Sequence, residues 1–385
     1  MSLEAASGIV LLLATAVALL WANIDSAGYA SWWHHQLTIG PGDLAITESL
    51  VHWVNDALMT IFFFVVGLEI KRELVTGDLR DRQRAALPAV AAVGGMVVPA
   101  LLFVVINAGG SGIDGWAIPM ATDIAFAVGV LALLGPRVPS SLKLFLLTLA
   151  IVDDIGAIVV IALFYSSGLD GWWLAGAVGV TLAVVAMARF GVDHPAAYVV
   201  PGIVLWWCLH EAGVEPTLAG VVLGLLTPAH PRRGVPVLER LEDALHAVSS
   251  FLIVPIFALA NAGVVLSRAA IDHARASEVT IGIVVGLVVG KFVGIFGASA
   301  LALRLRVGAL PDGLRMQHVA GVALLGGIGF TVSLFITDLA FRGDVIDDAK
   351  IGVLAASALA ALLGTLVLRI VLRGPAPKFS EEHTS

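Results

Sequence analysis

The chain has 385 residues, 59% of them hydrophobic and only 13% charged, with a mean hydropathy of +0.97; soluble chains carry roughly 25% charged residues, and no soluble fold of this size has interior enough for so much apolar surface. Composition therefore defines a polytopic membrane protein. The net charge of −7 without a basic run argues against a nucleic-acid partner, the single cysteine (Cys208) removes internal disulfides and thiolate metal sites, and no Gly-x-x-x-x-Gly-Lys run supports ATP-driven pumping.

Apolar segments fall near residues 5–22, 48–68, 86–106, 117–134, 142–165, 172–190, 197–210, 215–227, 245–266, 279–301, 317–340 and 350–371. A span needs about 20 residues, and the seventh and eighth segments are short. The pattern predicts an all-α protein of about twelve transmembrane helices, with every backbone group satisfied inside its own segment. The first segment is flanked by Glu4 and no positive residue, so it reads as a helix and not as a cleaved leader. Within the loop that follows, residues 35–47 read as a β-hairpin. Gln36–Ile39 and Leu44–Thr47 supply β-branched flanks around Gly40, Pro41, Gly42 and Asp43. An isolated hairpin is marginal in water, so its edge is expected to pair with a second copy or to lie on its own protein.

Basic residues set the orientation. Lys71, Arg72, Arg80, Arg82, Arg84, Arg137, Lys143, Arg189, Arg232, Arg233, Arg240, Arg304, Arg306, Arg315, Arg369, Arg373 and Lys378 fall in alternate loops and the tail. Arg268, Arg275, Arg342 and Lys350 occupy the opposite side. The positive-inside rule puts both termini in the cytoplasm. Lys291 is left over, inside a span.

A charge near the bilayer centre costs about 2.5–3.5 kcal/mol even on lenient scales, yet Asp56, Asp123, Asp153, Asp154 and Lys291 all lie in apolar runs. Each alone has a structural explanation, such as a helix cap or an inert ion pair. Four acids cannot all be neutralised by one lysine, so the set points to a proton or cation pathway. Asp153 and Asp154 are adjacent in a helix, about 100° apart around its axis, so one can line a cavity while the other meets a second helix. Two segments are also interrupted. Pro119 precedes Thr122 and Asp123 in the fourth, and Gly321, Gly326, Gly327 and Gly329 weaken the eleventh. Asp123 is placed to neutralise half-helix N-termini, and Lys291 the C-termini.

Taken together, Val66–Leu74 (VGLEIKREL), Ala121–Ala127 (ATDIAFA), Ala150–Gly156 (AIVDDIG), Gly290-Lys291 and Gly327–Ser333 (GIGFTVS) closely resemble the NhaA family of sodium/proton antiporters, over almost the whole chain. The paired breaks then fit two inverted repeats, residues 86–165 and 279–371, crossing near the membrane midplane, an architecture for which that family is itself a reference case. Residues 172–266 with 1–68 form the remaining panel. The resemblance implies an electrogenic, pH-regulated exchanger of the cell inner membrane. It would expel Na⁺ or Li⁺ for a larger number of H⁺, about two per Na⁺, as a secondary transporter and not an enzyme. Asp154 would be the principal ion-binding carboxylate and Asp153 its partner, the latter also pairing with Lys291. Thr122 and Asp123 would sit at the crossing, and Asp56 on a supporting helix. No cofactor is implied beyond the transported ions, and the partners are the lipid bilayer and a second copy through the hairpin.

A second cluster, Glu69, Lys71, Arg72 and Glu73 with Glu242, Asp243 and His246, reads on charge alone as a solvated rim; the resemblance makes it a pH-sensing region. Histidine is the residue type that changes charge near neutral pH. Glu215, before Pro216–Gly220, departs from the histidine of the best-known family pattern. Competing readings are a sodium-coupled organic-solute symporter, a cation channel, and an intramembrane aspartyl protease, whose Gly-x-Gly-Asp pattern is absent because Gly327-Ile-Gly-Phe330 lacks the acid.

Overall fold

The computed structural model describes residues 3–372 apart from 41, 43–44, 111, 167, 193 and 230–235. In chain order the elements are α1 (Leu3–Ile24), α2 (Ser26–Trp33), β1 (Gln36–Ile39), β2 (Ile46–Ser49), α3 (Leu50–Val75) and α4 (Arg82–Ile106). A 3₁₀ half-helix, Ile113–Met120, leads into α5 (Ile124–Leu133), followed by α6 (Ser140–Phe164), α7 (Gly171–Arg189), α8 (Val199–Glu211) and α9 (Leu218–Leu226). The rest are α10 (Val237–Asn261), α11 (Arg268–Ala276), α12 (Glu278–Arg304), α13 (Met316–Leu325), α14 (Phe330–Ala340) and α15 (Val345–Val371).

Nine stretches among the described residues are long and apolar enough to cross a membrane, and α13 with α14, bent by 45°, adds a tenth. At about 1.5 Å per residue, the 25 residues of α4 or α6 reach roughly 37 Å, beyond the ~30 Å hydrocarbon core. The short seventh and eighth segments appear as α8 and α9, with 13 and 9 residues.

The exterior carries Leu13, Leu20, Val105, Leu163, Leu362 and Ile370, all exposed, whereas Asp153 and Lys291 have no exposed surface. In water such a distribution would be ruinous. In lipid the apolar exterior costs nothing, and helices associate instead through close van der Waals contact at small residues. Two glycine seams supply that contact. Between α4 and α12, a Cβ on Gly94 would lie 2.4 Å from the Gly294 carbonyl oxygen, and one on Gly290 only 2.8 Å from Pro99 Cα. Between α3 and α9, a Cβ on Gly220 would meet the Thr60 carbonyl oxygen at 2.1 Å. Among the described residues, three membrane helices also contain a π-helical turn: Val54–Leu58 in α3, Ser249–Ile253 in α10 and Val285–Gly290 in α12.

The hairpin forms, with β1 antiparallel to β2 and Gln36 opposite Ser49. Its second strand runs to Ser49, two residues beyond the Thr47 at which the sequence ends it, because β2 leads directly into α3 and Ser49 caps that helix, its hydroxyl accepting from the His52 backbone N–H. Pro41, Asp43 and Leu44 lie outside the described residues. So do Arg232, Arg233, Arg373 and Lys378 of the basic set.

Candidate functional site

The two broken helices meet at their breaks. After Met120 the backbone becomes extended through Ala121, and Asp123 then caps α5, its Oδ1 accepting from the Phe126 N–H at 2.9 Å. The other carboxylate oxygen accepts from the Thr331 N–H at 3.0 Å and from the Thr331 hydroxyl. Thr331 stands in the first turn of α14, so one carboxylate caps both half-helices that begin at the crossing. That is the favourable place for a negative charge, at the positive end of two helix dipoles. The chains are stitched by three further bonds. The Asp123 N–H donates to Ile328 O (2.6 Å), the Thr122 hydroxyl to Gly326 O (2.8 Å) and the Ser333 hydroxyl to Ile118 O (2.7 Å). Backbone freed by each break is thus satisfied by the other, as a low-dielectric surround demands. Glycine is required here, since a Cβ on Gly327 would fall 2.3 Å from Leu287 O and one on Gly329 3.0 Å from Ala121 O.

Lys291 follows the π turn of α12, and its ammonium donates to Asp153 Oδ2 at 2.6 Å and to the Thr122 hydroxyl at 2.9 Å. Neither Lys291 nor Asp153 has exposed surface. Removing either partner from such a pair leaves a buried charge uncompensated. Asp153 Oδ1 is buried and has no hydrogen-bond partner among the described residues. Asp154, one residue on and 7% exposed, has Asp153, Glu69, Asp123 and Lys291 as its electrostatic neighbours. The half-helix C-termini are reached indirectly: Lys291 contacts Thr122, and Thr122 in turn holds the Gly326 carbonyl.

The structure thus brings Thr122, Asp123, Asp153 and Lys291 into one bonded group, with Asp154 beside it. Asp56 is elsewhere. It lies in the π turn of α3 near the hairpin, with His52, His210 and Glu48 around it, and it acts electrostatically on buried Glu215. Glu215 is held by the Thr217 hydroxyl at 3.1 Å. Of the second cluster, Arg72 pairs with Glu242 at 2.6 Å and with Glu73 at 3.5 Å, and Glu73 accepts from the Asp78 N–H at 3.0 Å. Glu69 lies within electrostatic reach of both Glu242 and Asp154, linking the rim to the interior. Asp243 and His246 are exposed. Sequence reasoning did not single out Thr331 or Ser333 as individual partners. The Gly327–Ser333 motif held both, but only the fold shows what their hydroxyls meet.

A helical membrane protein whose two interrupted helices exchange backbone bonds beside a buried acid–lysine pair has the build of a secondary transporter. The family model for Na⁺/H⁺ antiporter 1 matches residues 1–368, and the chain belongs to that family. Among similar proteins, the Na(+)/H(+) antiporter NhaA of Mesorhizobium japonicum is 49% identical over 99% of this chain and 95% of its own length. That of Pectobacterium atrosepticum is 49% identical over 96% of each. The Na(+)/H(+) antiporter NhaA 3 of Frankia alni is 44% identical over 96% of this chain and 87% of its own length.

Proposed function

We propose that the chain is an electrogenic, pH-regulated antiporter of the inner membrane that expels Na⁺ or Li⁺ in exchange for a larger number of protons. The observation that carries this reading is the group Asp153–Lys291–Thr122 beside Asp154. Two adjacent acids in a low-dielectric interior do not hold two charges cheaply, so each is neutralised by a proton, by Lys291 or by a hard cation, which prefers oxygen ligands. Na⁺ arriving at Asp154 and Asp153 competes with protons for the oxygens and with Lys291 for Asp153. Each binding event then releases protons, and each proton load restores the lysine pair. With about two protons exchanged per Na⁺, one net charge crosses per cycle, worth roughly 2.3 kcal/mol per 100 mV of membrane potential.

On this reading α8 and α9 are short spans that bring the total to twelve. Residues 86–165 and 279–371 are inverted repeats that move against a panel of 1–68 and 172–266, and both termini are cytoplasmic, as the arginine and lysine distribution supports. The exposed strand β1, with Leu37 and Ile39 outward, is the edge offered to a second copy. Glu69, Glu73, Arg72, Glu242, Asp243 and His246 form the pH-sensing rim, with the Glu69 link to Asp154 as the support for that role. Asp123 spends both oxygens on capping, which leaves it unsuited to act as one half of a proteolytic acid pair.

The test uses inside-out vesicles from cells lacking other antiporters, energised to an acid interior between about pH 6.5 and 8.5. Na⁺ and Li⁺, but not K⁺, are expected to collapse the gradient, and Asp154→Asn is expected to abolish the effect. A well-expressed protein that leaves the gradient intact at every pH overturns the proposal.

A further inference from the structure

A bonded group unconnected with the ion site joins four helices near the hairpin. Asn55, in the π turn of α3, pairs with Asn261, the last residue of α10. The Asn261 amide donates to Asn55 Oδ1 at 2.7 Å, and the Asn55 amide donates back to Asn261 Oδ1 at 3.3 Å. The Asn55 amide also donates to Asp338 Oδ2 of α14 at 2.9 Å. Asp338 Oδ1 receives Lys350 of α15 at 3.1 Å. Asn261 is 1% exposed, and the Asp338 and Lys350 side chains keep 19% and 13%.

Asp338 follows Thr331 by seven residues on one helix, so the group lies roughly 10 Å from the crossing, toward the hairpin. The Arg72–Glu242 rim is at the other end of α3. The group also has a particular division of partners. Asn55 and Asn261 belong to helices of the panel, and Asp338 and Lys350 to the second repeat. Separating the two sides breaks one amide-to-carboxylate bond. It leaves Asn55 with Asn261, and Asp338 with its lysine. Neither a bare buried charge nor an orphaned amide results, so the contact can open repeatedly without the penalty that attends splitting a buried ion pair.

We infer that the Asn55–Asp338 bond is a latch that holds the hairpin-side mouth closed while the ion site faces the opposite side, and that it releases when access alternates. The inference rests on the alternating-access reading above.

The test reads access directly. In a Cys208→Ser background, Thr337→Cys puts a thiol at a fully buried position one residue from Asp338. Right-side-out vesicles are treated with a membrane-impermeant maleimide. Asn55→Ala, and Asp338→Ala made together with Lys350→Ala so that no ammonium is stranded, remove the same bond from opposite sides, so each is expected to raise the labelling rate about tenfold. Unchanged labelling in both, or a rise in one alone, overturns the latch. Sodium-driven exchange supplies a second readout. A population shift raises the apparent KM from the cytoplasmic side and lowers it from the hairpin side, because apparent affinity scales with the competent fraction. KM values moving the same way on both sides mark general damage and overturn the inference. Faster labelling in a protein that exchanges no Na⁺ keeps the latch and sinks the antiport reading instead.

Discussion

The Lys291–Asp153 and Arg72–Glu242 pairs are both closed to 2.6 Å, yet the first has no exposed surface while Arg72 keeps 37% of its side chain in contact with solvent. Equal geometry hides unequal energetics. At the rim, water reaches the Arg72 guanidinium and salt screens part of the attraction, although the Glu242 side chain keeps only 8% exposure. At the crossing nothing replaces a lost partner except a proton or another cation. On the proposed reading the inner pair is the one that responds strongly to ion occupancy, and the outer pair suits graded adjustment.

The sharpest way to break this comparison is Lys291→Ala, which strands Asp153. It is expected to cost about 3–5 kcal/mol, read as a lower unfolding temperature in detergent, with much of the loss recovered by adding Asp153→Asn. Failure of that recovery would show that the lysine stabilises through something other than its partner. Next in size is Thr331→Val. It removes a hydroxyl from Asp123 but leaves the backbone donor at 3.0 Å, so a loss of about 1–3 kcal/mol is expected in the same melt. Arg72→Ala at the rim leaves Glu242, 8% exposed, without its cation but close to solvent, and is expected to cost about 1–2 kcal/mol. Its larger signature is a displaced pH profile of exchange, and an unmoved profile would remove Arg72 from regulation.

The smallest effect belongs to His273 on α11, outside the spans. Its ring bonds Asp348 at 3.0 Å, and that hydrogen bond and negative charge raise its pKa above the ordinary histidine value. The folded form holds the proton more tightly than the unfolded chain does. The pair's contribution is therefore complete below the unfolded value of about 6.5 and fades as pH rises through the raised one. Melts at about pH 5.5 and about pH 9 should show wild type exceeding His273→Gln only at the acid end. A difference that grows toward alkaline pH contradicts the pairing.

Much of this was legible in the sequence because lipid enforces simple rules. Apolar runs of span length and five charges inside them stand out without any alignment, and the breaks announce themselves through Pro119 and four glycines. The Asp153–Lys291 contact was nameable only through family resemblance, since the two are separated by 138 positions. The double capping by Asp123 was half readable: an N-cap for α5 follows from local order, but the Thr331 bond depends on how two breaks are superposed. The π turns left no mark, because one extra residue in a helical turn does not change composition. Asn55 and Asp338 escaped notice for a different reason. An amide carries no charge to flag it, and an acid nine residues past a glycine-rich break looks like a helix end.

Thr122 has a consequence that outlasts any particular cargo. A hydroxyl owns one proton, and this one is committed to the Gly326 carbonyl at 2.8 Å. What the oxygen presents to Lys291 is therefore a lone pair alone. When the ammonium departs, its place suits a visitor that is short of electrons and repels one that is rich in them. On the proposed reading, the crossing of the two broken helices thus imposes a valence rule on what takes the ammonium's place, through backbone connectivity and before any carboxylate takes part.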